Sequence, residues 1–133
     1  MKRAYRGSCH CGAVGFEADI DLATGTSRCN CSICGKSRFW KAIVMADDFR
    51  LLHGEQDLAD YRFASRRISH RFCRHCGVKP FGEGRVEGLG HFYAVNLACL
   101  DAVPAEELAA APVRYEDGRH DNWGAAPEVT AHL

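Results

Sequence analysis

Seven of the eight cysteines fall in three clusters: Cys9 and Cys11, then Cys29, Cys31 and Cys34, then Cys73 and Cys76. Packing alone does not call for thiols at that density, and the middle cluster places three of them in six residues. Thiolate sulfur is a preferred donor for zinc, which favours four ligands in a structural site and often three protein ligands in a catalytic one. Each cluster is followed directly by a glycine, Gly12, Gly35 or Gly77. Glycine tolerates positive φ and lets backbone N–H groups approach sulfur, as a metal knuckle requires. A disulfide framework fits poorly, because Cys-x-Cys pairs have unfavourable bridging geometry. The opening Met1-Lys2-Arg3-Ala4-Tyr5-Arg6-Gly7 leads into no apolar segment, and no run approaches the ~18 apolar residues of a membrane span. The expectation is a soluble, cytoplasmic protein with reduced thiols, where such a pattern points to metal.

Seven thiols divide naturally into four and three. The pairs Cys9/Cys11 and Cys73/Cys76 can complete one four-thiolate site, leaving Cys29, Cys31 and Cys34 with an open fourth position. Spacing does not fix this division. In the competing one, two of the middle thiols close with Cys73/Cys76 and the first pair is left weakly liganded. Cys99, isolated in Ala98-Cys99-Leu100, reads as a small buried hydrophobe, with a fourth-ligand role as the alternative.

At 133 residues, 47% of them hydrophobic, the chain suits one domain, residues 1–133. Val14, Phe16, Ala18 and Ile20 alternate with polar or small residues, the period of a half-buried strand. Further strands are expected over 26–30, 38–46, 49–53, 58–63, 67–72, 79–83 and 91–97, at the spacing of an all-β domain. Residues 32–37 suggest a tight helical turn and 104–110 a short helix, with Pro104 in its first turn and Glu106 and Glu107 near the positive end of its dipole. The tail from Val113 to Leu133 reads as irregular, packed by Tyr115 and Trp123.

In order, Gly7-Ser8-Cys9-His10-Cys11-Gly12-Ala13-Val14, Cys29-Asn30-Cys31-Ser32-Ile33-Cys34, Phe72-Cys73-Arg74-His75-Cys76-Gly77 and Val95-Asn96-Leu97-Ala98-Cys99-Leu100 resemble the glutathione-dependent formaldehyde-activating enzyme family, which includes centromere protein V. The likeness spans nearly the whole chain and extends to Asp117-Gly118-Arg119-His120-Asp121-Asn122-Trp123. The resemblance implies a mainly β fold, a β-tent of small antiparallel sheets stapled by a structural zinc on Cys9, Cys11, Cys73 and Cys76, with one or two short helices. It further implies a second, catalytic zinc on Cys29, Cys31 and Cys34, hence two Zn²⁺ per chain. The activity it implies is that of a carbon–sulfur lyase, adding glutathione to formaldehyde to give S-hydroxymethylglutathione, and the reverse. The chain departs from the common pattern at Gly35 and at Lys79-Pro80.

Three thiolates on Zn²⁺ leave a local charge of −1, a weaker Lewis acid than an ion held by neutral imidazoles. Such an ion suits holding a thiol substrate as thiolate better than activating water. Nearby cations should offset the charge. Lys36 and Arg38 flank the cluster, and the acid-free segment 61–82 contributes Arg62, Arg66, Arg67, Arg71, Arg74 and Lys79. Of these, Lys36, Arg38 and Arg67 are the expected contacts to glutathione or a related thiol, since Arg forks suit carboxylates. His10 and His75 read as surface or supporting histidines, and no side chain stands out as general acid or base. The alternative is a non-catalytic zinc module for a protein or nucleic-acid partner. A net charge of +0 and a pI near 7.0 argue against nucleic acid. Redox use of Cys31/Cys34 or Cys73/Cys76 lacks the expected βαβ context.

Overall fold

The computed structural model describes residues 1–133, and its first sheet shows how alternation builds the core. Strands β1 (Arg3–Ser8), β2 (Gly15–Ile20) and β5 (Phe49–His53) pair antiparallel in the order β1-β2-β5. In β2, Phe16, Ala18 and Ile20 are buried while Glu17 and Asp19 reach Arg50 on the neighbouring strand. A second sheet contains β3 (Thr26–Cys29), β4 (Trp40–Met45), β6 (Leu58–Tyr61), β7 (Ile68–Cys73), β8 (Phe81–Val86), β9 (Gly90–Asn96) and β10 (Val113–Glu116), ordered β10-β3-β4-β9-β8-β7-β6. Phe16 and Phe49 from the first sheet pack on Phe81 and Tyr93 from the second, with Phe49 and Tyr93 stacked 4.0 Å apart between centroids. Aromatic contact of this kind adds to area burial. The helices are α1 (Ser32–Ser37) and α2 (Ala105–Ala110).

The mainly β architecture, its antiparallel pairing and its two short helices are as expected from the sequence. Two stretches differ. Val113 to Glu116 is an ordered strand rather than part of an irregular tail, and it pairs parallel to β3, from Val113 beside Thr26 to Glu116 beside Cys29. Four residues carry too little periodicity to announce a strand whose partner lies some 87 positions earlier. Arg3 to Ser8 is also a strand, with Tyr5 and Gly7 buried and Arg3 and Arg6 outward.

Register divides the large sheet into two chemically different faces, because residues two apart on a strand share a face. Ser27 pairs with Lys41, and Lys41 with Asn96. Ile43, two residues on, aligns across the sheet with Ala94, Gly82, His70 and Tyr61. Cys29 and His70 are therefore on one face. Val44, Tyr93, Glu83 and Ser69 align on the other, which Asp60 shares opposite Arg71.

Candidate metal centre and active site

Cys9 and Cys11 follow β1, Cys73 ends β7, and Cys76 lies in the turn beyond it. Their four sulfurs all lie within 4.8 Å of one another. The separations are 3.7 Å for Cys9 to Cys11 and 3.6 Å for Cys11 to Cys73. A tetrahedron of sulfurs 2.3 Å from a central zinc has edges of about 3.8 Å, so these residues fit the ion. The Val14 N–H donates to Cys9 Sγ at 3.3 Å and the His75 N–H to Cys73 Sγ at 3.4 Å. The Val78 N–H, followed by that of Cys11, holds the Cys76 thiol down at about 6, which favours the thiolate a metal takes. Gly12 and Gly77 adopt φ of +82° and +78°. The four-thiolate division of the sequence is thus the one the fold assembles, and it joins the first sheet to the second.

The middle cluster is built differently. Cys29 ends β3 and is buried, Cys31 is the N-cap of α1, and Cys34 lies within α1. The Cys31 N–H donates to Cys29 Sγ at 3.4 Å. The three thiols perturb one another: Cys29 and Cys34 drive the Cys31 thiol down, while Cys29 and then Cys31 push Cys34 up, and Cys31 raises Cys29. Gly35 is not the left-handed residue its sequence position suggests, because it lies inside α1; that conformation falls to Arg38, the C-cap, at φ 48°.

The tail closes over this cluster. Asn30 donates through Nδ2 to Asp117 Oδ1 at 2.8 Å and accepts the Arg119 N–H at 2.9 Å. Gly118 lies so close that a Cβ there would be 2.6 Å from Cys29 Sγ and 2.6 Å from the Trp123 ring.

Two lysines supply positive charge on this face. Lys41, buried, pairs with Glu116 at 2.7 Å. Lys79 has no carboxylate partner: its Nζ is 2.7 Å from His70 Nδ1 and 4.2 Å from the centre of the Phe39 ring. Burial pushes Lys79 down to about 8, against the charges of Cys34 and Cys31, which favour the ammonium. Burial and then the Lys79 charge hold His70 at about 4, so its ring is neutral. An ammonium has only donors, so His70 accepts at Nδ1 and carries its proton on Nε2.

The remaining candidates fall in distinct places. Lys36 is exposed in the last turn of α1, and the Arg38 guanidinium donates to the Leu133 carbonyl at 3.1 Å. Arg67 lines a cavity with Arg62, Arg66 and Arg85, which shares no residue with the cysteine cluster. His10 is exposed, and His75 contacts Asp57 at 2.7 Å. Cys99 is buried, donates to the Lys79 carbonyl at 3.8 Å and is pushed up to about 12 by burial, then by the charges of Cys9, Asp101 and Cys76. It therefore belongs with the core beside the four-thiol centre. Lys41, His70, Asn30 and Gly118 were not singled out by sequence, since each gains meaning only from a partner distant in the chain.

Among solved structures, a Rhodobacter sphaeroides protein determined by crystallography in a structural-genomics programme is 32% identical, with a TM-score of 0.69, over 82% of this chain and 99% of that one. The family profile described as glutathione-dependent formaldehyde-activating enzyme matches residues 4–116, from within β1 to the end of β10. With that match spanning all three cysteine clusters, the chain belongs to the glutathione-dependent formaldehyde-activating enzyme family.

Proposed function

We propose that Cys29, Cys31 and Cys34 hold a second zinc, beside the structural one on Cys9, Cys11, Cys73 and Cys76. The site would act as a carbon–sulfur lyase on glutathione, or a related thiol, and its adduct with a small aldehyde. The observation that carries this reading is Lys79, an ammonium without a carboxylate partner whose charge interacts with Cys31 and Cys34. Three thiolates on a divalent ion leave −1, and a fourth from substrate would leave −2, so an uncommitted cation beside them supports thiolate binding. When bound there, zinc would supply a Lewis-acid centre that favours the ionised form of a thiol at neutral pH.

The chain's own groups account for the rest. His70 and the Phe39 face orient the Lys79 ammonium, and Lys41, already neutralised by Glu116, walls the cluster without competing for the substrate. In the synthetic direction the thiol loses its proton, sulfur bonds to the carbonyl carbon, and the carbonyl oxygen gains a proton to become hydroxyl. In this reading Lys79 Nζ would donate that proton and recover one from the next thiol. Lys36 on α1 and Arg38 at its C-cap remain candidates for the carboxylates of glutathione, while Arg67 lines the cavity on the other face.

Metal analysis of wild type and Cys31→Ser, with glutathione titration, tests the reading. Loss of one zinc and of thiol binding in the variant is expected. Retention of both ions with unchanged binding contradicts it and favours a non-catalytic module.

A further inference from the structure

The face of the large sheet opposite Cys29 carries a second concentration of charge. Arg62, Arg66 and Arg67 from the β6–β7 connection and Arg85 from β8 line a cavity of about 330 Å³ with Ser69 and His91, and no apolar side chain contributes to its wall. The acids nearby are already engaged. Asp60 accepts from Arg62 Nε at 2.8 Å and also from Ser69 Oγ. Glu83, which lines the cavity, accepts from His91 Nε2 at 2.9 Å and Tyr93 Oη at 3.1 Å, and has Arg71 at 3.5 Å. Arg66, Arg67 and Arg85 form no ion pair with any carboxylate. The connection that presents them is braced, because Arg62 Nη1 donates to the Arg66 carbonyl at 3.4 Å and Arg66 Nη1 to the Arg62 carbonyl at 3.5 Å. Ala64 and Arg66 adopt left-handed φ of 53° and 62°, a conformation that costs non-glycine residues energy and persists where surrounding contacts hold it.

We infer that this cavity binds a compact phosphate-bearing ligand with at least two negative charges, at a site independent of the cysteine cluster. Guanidinium forks recognise oxyanions through paired hydrogen bonds, and three that approach from a loop and a strand suit the divergent oxygens of phosphate better than one planar carboxylate. The wall has no apolar side chain to hold an acyl chain, and four guanidiniums outnumber its one imidazole, so the charged group is the main recognition element. A phosphodiester backbone shares this chemistry. The concave shape and neutral net charge favour a small free phosphate over a nucleic acid. Ser69 lines this cavity, whereas His70, its neighbour on β7, turns to the opposite face and Lys79, so the two sites are separated by the sheet.

Calorimetric titration of the full-length, zinc-loaded chain with inorganic pyrophosphate at low salt tests this. Saturable one-to-one binding is expected, weakened at least about tenfold in Arg67→Ala/Arg85→Ala. Both residues are exposed, so the melting temperature of the double variant should match wild type, and Arg85→Gln alone provides a milder reading if it does not. Binding should persist in Cys31→Ser, which separates this site from the thiol reading. Failure of pyrophosphate to bind, equal affinity in wild type and both arginine variants, or loss of binding in Cys31→Ser would each overturn the inference. So would a short DNA duplex that binds the same arginines while pyrophosphate does not.

Discussion

Cys73 is fully buried, and its sulfur is 3.6 Å from that of Cys11 across the junction of the two sheets. Cys73→Ser should release one zinc and destabilise the fold by more than about 4 kcal/mol, the range reached when a structural metal is lost. Zinc content and urea unfolding measure both. Lys79 makes the opposite kind of contribution. Its charge is costly to bury, and its pKa, pushed down to about 8, lies under the usual lysine value. Between about pH 8 and the unfolded value of about 10.4 the unfolded chain binds the proton more tightly, so the Lys79 contribution to stability rises with pH across that window; below pH 8 the full penalty of burying the ammonium remains. If thiol binding uses the ammonium as proposed, it should follow the reverse course and weaken as pH rises through 8. In Lys79→Met, glutathione affinity should fall about tenfold at pH 7, equivalent to about 1.4 kcal/mol, and the decline above pH 8 should disappear. Titration of both proteins at pH 7 and pH 9 checks this.

Turns and closures set the cost of change in the elements. Gly54, between β5 and β6, adopts φ +94°, and a Cβ there would lie 2.2 Å from the Ala13 carbonyl oxygen. Gly12, at φ +82°, has open space around it. Gly54→Ala should therefore cost more than about 2 kcal/mol and Gly12→Ala only about 1 kcal/mol, an order that thermal melts can establish. Gly118→Ala tests the tail: its Cβ must displace Trp123 or Cys29, so thiol binding should weaken even where overall stability changes little. The same contrast explains what could be read beforehand. Alternation in β2 and the thiol-glycine knuckles at Gly12 and Gly77 are local signals, visible in a few consecutive residues. The parallel pairing of β10 with β3 has no local signal, nor has the meeting of Lys79 with His70 over Phe39. Gly35 looked like a third knuckle because its neighbour matched, but α1 places the left-handed residue at Arg38 instead.

For the molecule as a whole, two sheets joined by aromatic packing and a four-thiol staple present two unlike faces. One carries Cys29 and the Lys79 ammonium against His70, while the other gathers arginines around a polar cavity. No helix is long and apolar enough to cross a membrane. Both faces hang on the same sheet, so loss of the staple should impair both, whereas changes on one face should leave the other intact. Cys29, Cys31 and Cys34, as an open metal site, would receive a substrate thiolate. A zinc-edge absorption spectrum of the fully loaded protein with the selenol analogue of glutathione tests it most directly. Two zinc ions per chain and a zinc–selenium shell that is absent from Cys31→Ser are expected; a sulfur-only spectrum under excess selenol at full metal loading would rule out an open site.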